Sequence, residues 1–169
     1  MRKITKSLLA LTMLFGAVGG VNATKLYADL SASTATGNST WDSSAKTFTW
    51  TAASYAYMEL KGLSGDLSEY TTLVVEATEQ TASWRIDLEL NDGTVLKGNE
   101  DDRSMAYWNA GTKNITLADK YSAAQLAAVK AIRISTNSDA GSVKFGKIYL
   151  VKPFSLVFDE KGVAEIDLT

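Results

Sequence analysis

The 169-residue chain contains neither histidine nor cysteine. Those two absences exclude Ser-His-Asp and Cys-His nucleophiles, thiol redox chemistry and ordinary zinc sites together. What remains for catalysis is carboxylate, lysine, tyrosine and arginine chemistry. With no disulfide to staple it, the fold must be held by packing alone. Proline occurs once, at Pro153. A Lys/Arg cluster is also missing: 17 basic residues stand against 19 acidic ones, for a net charge of −2. That balance is a poor basis for binding nucleic acid or an anionic membrane. No apolar run is long enough for a stable span of a bilayer core roughly 30 Å thick.

What is present begins with a targeting pattern. Arg2, Lys3 and Lys6 precede an apolar run from Leu8 to Val18, broken only by Thr12 and Gly16. Val21-Asn22-Ala23 then supplies small residues where a signal peptidase reads. Residues 1–23 are therefore expected to be a signal peptide, and the mature chain to begin at Thr24, exported to the periplasm, cell surface or medium. No cysteine follows the run, so no lipid anchor is expected there. Three of the 17 basic residues leave with this segment, so the remaining 146 residues carry 14 basic against 19 acidic groups, net −5. That length suits one domain, which at about 150 residues buries roughly 70% of its unfolded surface.

The clearest pattern in the mature chain is Trp84-Arg85-Ile86-Asp87-Leu88-Glu89-Leu90. A period of two puts the apolar residues on one face of a strand and Arg85, Asp87 and Glu89 on the other. Asp92-Gly93 follows, two residues that tolerate the positive φ of a tight hairpin, and Thr94 to Lys97 returns as the partner strand. Further strands are expected at Thr24–Leu30, Ser39–Asp42, Lys46–Thr51, Tyr57–Leu60, Thr72–Thr78, Asn114–Leu117, Ala131–Ser135 and Ser142–Val151. Ser31–Asn38 reads as a loop, and Asp66–Glu69 as one helical turn. Ser122-Ala123-Ala124-Gln125 matches a capping box and predicts a short helix near 122–129. Many short strands with regular turn signals and almost no helix define an all-β antiparallel sandwich. Trp41, Phe48, Trp50 and Trp84 alternate with polar residues and are assigned to the core, while Tyr55 and Tyr57 are left undecided. Residues 24–152 make this domain. Pro153 and the apolar runs after it, 153–169, read as a linker or the start of a following module, or equally as a hairpin closing the domain.

Several segments, taken in order, resemble a known family. They are Thr34–Asp42, Thr47–Trp50, Gly65–Val75, the Trp84 strand, Lys113–Leu117 and Gly141–Leu150. Together they are similar to the galactose-binding-like jelly-roll modules that precede the catalytic domains of secreted bacterial glycoside hydrolases. The resemblance spans Leu26 to Leu150. It implies a jelly roll that binds a polysaccharide without cleaving it, with a downstream catalytic module as partner in the same polypeptide. Many such modules carry a structural calcium. No ligand residue is carried over from the family.

The candidate ligand residues come from the chain itself. Tyr107-Trp108-Asn109 lies in an irregular, Gly-bounded segment and offers flat rings for the apolar face of a sugar, with an amide beside them. Arg85, Asp87 and Glu89, which Arg133 could join, offer directional hydrogen bonds to hydroxyls, or else form a cross-strand ion-pair ladder on a solvated sheet. Glu100-Asp101-Asp102 has oxygens suited to calcium but lacks the alternating spacing of a calcium loop, and reads as a solvated charge run. Asp87 and Glu89 stand about 7 Å apart along a strand, within the range of a glycosidase carboxylate pair. Nothing in the pattern supplies an apolar pocket to raise either pKa, so the expectation is a non-catalytic binding module. The alternatives are a spacer or protein-docking sandwich without a sugar site, or the N-terminal part of a hydrolase whose catalytic domain lies beyond residue 169. A binding module should expose Tyr107 and Trp108 on one surface; a spacer should bury them.

Overall fold

A computed structural model describes residues 23–52, 56–137 and 139–153, together with the backbone of 157–158 and 164–165. The expected signal peptide, Tyr55 and most of the segment after Pro153 lie outside the described residues. Lys25–Pro153 forms one compact unit. In it the chain runs through β1 (Thr24–Tyr27), β2 (Asp29–Thr36), β3 (Ser39–Asp42), β4 (Thr47–Trp50), β5 (Tyr57–Lys61), β6 (Thr72–Gln80) and β7 (Trp84–Leu90). It continues through β8 (Val95–Leu96), β9 (Ala106–Tyr107), β10 (Gly111–Thr116), a 3-10 turn (Leu117–Asp119), α1 (Ala123–Leu126), β11 (Val129–Thr136) and β12 (Gly141–Lys152). Beyond it, Val157–Phe158 pairs antiparallel with Ala164–Glu165.

The strands form two sheets. One has the order β10-β6-β12-β4-β3, with β1 also paired to β12; the other has the order β2-β5-β11-β7-β8, with β9 also paired to β7. The expected antiparallel β-sandwich is the fold. Phe48, Trp50, Val75, Ala77, Val143, Phe145, Ile148 and Leu150 line the inner face of the first sheet. Met58, Leu60, Trp84, Ile86, Leu88, Ile132 and Ile134 line that of the second. Alternation along each strand separates these residues from polar ones, as sheet-on-sheet packing requires. Trp84 meets Phe145 edge to face at 5.5 Å, a favoured aromatic geometry that ties the two sheets together. Of the four residues assigned to the core, Phe48, Trp50 and Trp84 are fully buried. Trp41 is half-buried at the margin, where its indole N–H donates to the Leu30 carbonyl.

The sequence reading differs from the structure at three places. Thr24–Leu30 is not one strand: the chain leaves the first sheet after Tyr27 and joins the second as β2, and Ser31–Thr36, expected as loop, belongs to that strand. Asp29 sets the corner, its Oδ1 accepting from Ser31 N at 3.0 Å and Ala32 N at 3.1 Å. Pairing with β5 then overrides the weak strand propensity of small polar residues. Asp66–Glu69 is a turn closed by Tyr70 N donating to Leu67 O, not a helical turn. The predicted helix does start at the Ser122–Gln125 capping box, with both hydrogen bonds made. It ends at Leu126 because Val129 already pairs with Leu90 in the sheet.

Candidate functional site

The outer face of the second sheet is built from the residues that alternate with its core set. Register places Tyr57, Ser135, Arg85 and Ala106 in one row across β5, β11, β7 and β9. Glu59, Arg133 and Asp87 form the next row, and Ala131 lies opposite Glu89 beyond it. Charged groups on a solvent face are normally exposed. Here Asp87 is only 3% exposed and Glu89 only 6%, so the floor of this face is recessed beneath its neighbours.

Each buried carboxylate is held by cations and backbone. Asp87 Oδ1 accepts from Arg85 Nε at 2.9 Å and from the Gly98 amide at 2.9 Å. Arg85 Nη1 in turn donates to the Thr136 carbonyl at 2.5 Å. Glu89 accepts from Lys130 Nζ at 2.9 Å and from Arg133 Nη2. Burial pushes the Glu89 carboxyl up, but the Lys130 hydrogen bond and the charges of Arg133 and Lys130 outweigh it and hold the group below the usual carboxylate range. Arg133 also lies over the Tyr57 ring, its Cζ 4.2 Å from the centroid, a cation–π contact. The expected ion-pair ladder therefore exists, but it is a recessed network and not a solvated fringe.

The β7 edge of this face is finished by the segment from Lys97 to Ala110. Gly98 fits tightly against β7: a Cβ there would stand 2.1 Å from the Ile86 carbonyl oxygen. Arg103, buried, ties the turn together by donating to Lys97 O at 3.0 Å and pairing with Asp101 at 3.0 Å. Asp101, Asp102 and Ser104 all take positive φ, near 50–60°. The acidic run is exposed, as expected of a solvated charge run, and no cluster of acidic residues suited to a metal occurs among the described residues.

Tyr107 and Trp108 part company. Tyr107 pairs with Trp84 in β9 and packs on its indole with ring centroids 4.8 Å apart. It is half-buried, and desolvation pushes its hydroxyl up to about 12. Trp108, the next residue, is 68% exposed, and Asn109 beside it is exposed as well. Of the expected pair, Tyr107 is therefore partly taken up by Trp84, while Trp108, just past the end of β9, is the more exposed. Arg85 and Asp87 lie on the face predicted for them, but both are engaged with each other and with backbone. Tyr57, undecided in the sequence, stands on the same outer face. Reading Met58 and Leu60 as the inward pair would have turned Tyr57 and Glu59 outward.

No family model matches the chain, and no curated protein matches it. Among solved structures it is similar to a xylan-binding module CBM15 at 13% identity, over 78% of this chain and 97% of that one, with a TM-score of 0.38. A likeness of that degree bears on neither the site nor its ligand.

Proposed function

We propose that the 24–152 sandwich is a non-catalytic polysaccharide-binding module, using the outer face of the second sheet and the exposed Trp108 at its edge. The observation that carries the reading is Trp108 itself: an indole left 68% exposed, two residues along the chain from Ala106, the register partner of Arg85. An exposed indole offers a flat apolar face that suits the apolar face of a sugar, and the paired charges of the outer sheet face give directional contacts to hydroxyls. Trp108 stacks the sugar, Asn109 and Arg85 bind its hydroxyls, and Asp87 positions Arg85. Tyr107 supports Trp108 from behind. Glu89 is not set up as a general acid. A glycosidase acid needs a raised pKa, whereas two cations hold this carboxyl down. As part of the same proposal, the chain is exported by residues 1–23 and the module serves a glycan-degrading catalytic domain following Pro153.

Intrinsic fluorescence titration against a panel of soluble plant and host polysaccharides tests this. Trp50 and Trp84 are buried and Trp41 half-buried, so a ligand-induced shift reports chiefly on Trp108. A saturable shift with one polymer, abolished in Trp108→Ala, is the expected result. Silence across the panel, or unchanged affinity in the variant, refutes the site.

A further inference from the structure

Resting on the carbohydrate reading above, we propose that the ligand is an internal stretch of polymer lying across the strands, with Tyr57 as the second stacking residue opposite Trp108. Tyr57, Ser135, Arg85 and Ala106 are register partners on four neighbouring strands. They therefore form a straight row perpendicular to the strands. Three strand spacings of about 4.8 Å separate Tyr57 from Ala106, roughly 14 Å, and Trp108 follows Ala106 by two residues along the chain, just past the end of β9. That span exceeds one sugar ring and suits a run of about three. Beyond Tyr57 the row is low and polar: Ser135 is small and buried, and Arg85, held by Asp87 and the Thr136 carbonyl, stays partly exposed. Along the strand direction, by contrast, Tyr57 is followed on the same face by Glu59 and Lys61, which pair with each other at 2.6 Å and offer no second ring.

Tyr57 is also braced before any ligand arrives. The Arg133 guanidinium lies over its ring at 4.2 Å and is itself tethered to Glu89 on β7. The ring remains partly exposed. Fixing an aromatic in advance lowers the ordering cost of binding, which is what a stacking position at the far end of a groove requires. The same bracing makes Tyr57 a specificity-determining residue for chain length: only a ligand long enough to reach it from Trp108 gains its contact.

The test is calorimetric titration of the full chain with oligosaccharides of one to six units, cut from whichever polymer binds in the polysaccharide panel. The monosaccharide should not bind measurably, and affinity should climb until the row is filled at three or four units. Tyr57→Ala and Tyr57→Leu should each weaken the long oligomers roughly tenfold, leave the shortest binding oligomer unchanged, and halt the climb early. Tyr57→Phe should match the native protein. Leucine keeps apolar packing against Arg133 while removing the flat ring, so its loss separates stacking from scaffold damage. The length series on the native protein decides the point even if a variant fails to fold. Maximal affinity for a monosaccharide, or native affinity in Tyr57→Leu at every length, overturns the inference while leaving polysaccharide binding intact. If no polymer in the panel binds, the functional reading itself falls and this inference with it.

Discussion

Glu89→Gln removes the charge that two cations share without changing the shape of the side chain. Arg133 has little exposed side chain, its Nη2 donates to Glu89, and its Nε finds no acceptor among the described residues. Breaking a buried pair costs about 3–5 kcal/mol. The glutamine oxygen can still accept one hydrogen bond, which lowers the expected cost for Arg133 to about 2–3 kcal/mol. Lys130, more than half exposed, adds at most about 1 kcal/mol. The variant should therefore be about 3 kcal/mol less stable at neutral pH by urea denaturation. A second signature follows from the sign of the linkage. The folded Glu89 pKa lies below its unfolded value of about 4.3, so its contribution is complete above that pH and is lost as pH falls through the folded pKa. The stability curves of native protein and variant should thus converge in acid. A variant within about 0.5 kcal/mol of native at pH 7, or a constant gap from pH 7 into acid, refutes the recessed network.

Two further predictions concern the edge of the same face. Gly98→Ala would place its Cβ 2.1 Å from the Ile86 carbonyl, a backbone atom that cannot swing aside. Loss of about 3 kcal/mol is expected from thermal or urea unfolding, with faster hydrogen exchange at the Gly98 and Met105 amides; a neutral effect would show that the segment is not seated on β7. Tyr107 should remain protonated until close to pH 12 in an ultraviolet phenolate titration of native protein against Tyr107→Phe. Ionisation of that residue near pH 10 would mean the ring is not packed on Trp84.

The sandwich was legible in the sequence because period-two alternation is a local signal. Trp84 to Leu90 places its core side chains without reference to any other part of the chain. Ser31–Thr36 was not legible, since its residues have weak strand propensity and become a strand only by pairing with β5, a partner more than twenty residues away. The site divides in the same way. Trp108 was found as an aromatic in an irregular segment, and it is exposed. Tyr107 beside it was grouped with it, because sequence adjacency does not show that Tyr107 pairs with and packs on Trp84. The burial of Asp87 and Glu89 depends on Arg133, Lys130 and the Gly98 amide, all brought in from other strands and loops. Alternation assigned those carboxylates to the outer face but could not show that the face is recessed.

The place of β12 governs when this unit can exist at all. That strand lies between β6 and β4 and also holds β1, so three elements made earlier in synthesis wait for the last one. Its partners on β6 are some seventy residues upstream, from Val143 opposite Gln80 to Val151 opposite Thr72. Closing such loops is slow and brings no reward until the strand arrives. A nascent chain made only as far as Ala140 would have β6 with an open edge and Trp84 without Phe145 to cover it. The first sheet therefore gains its central strand, and the sandwich its full core, only once β12 has been made through Lys152.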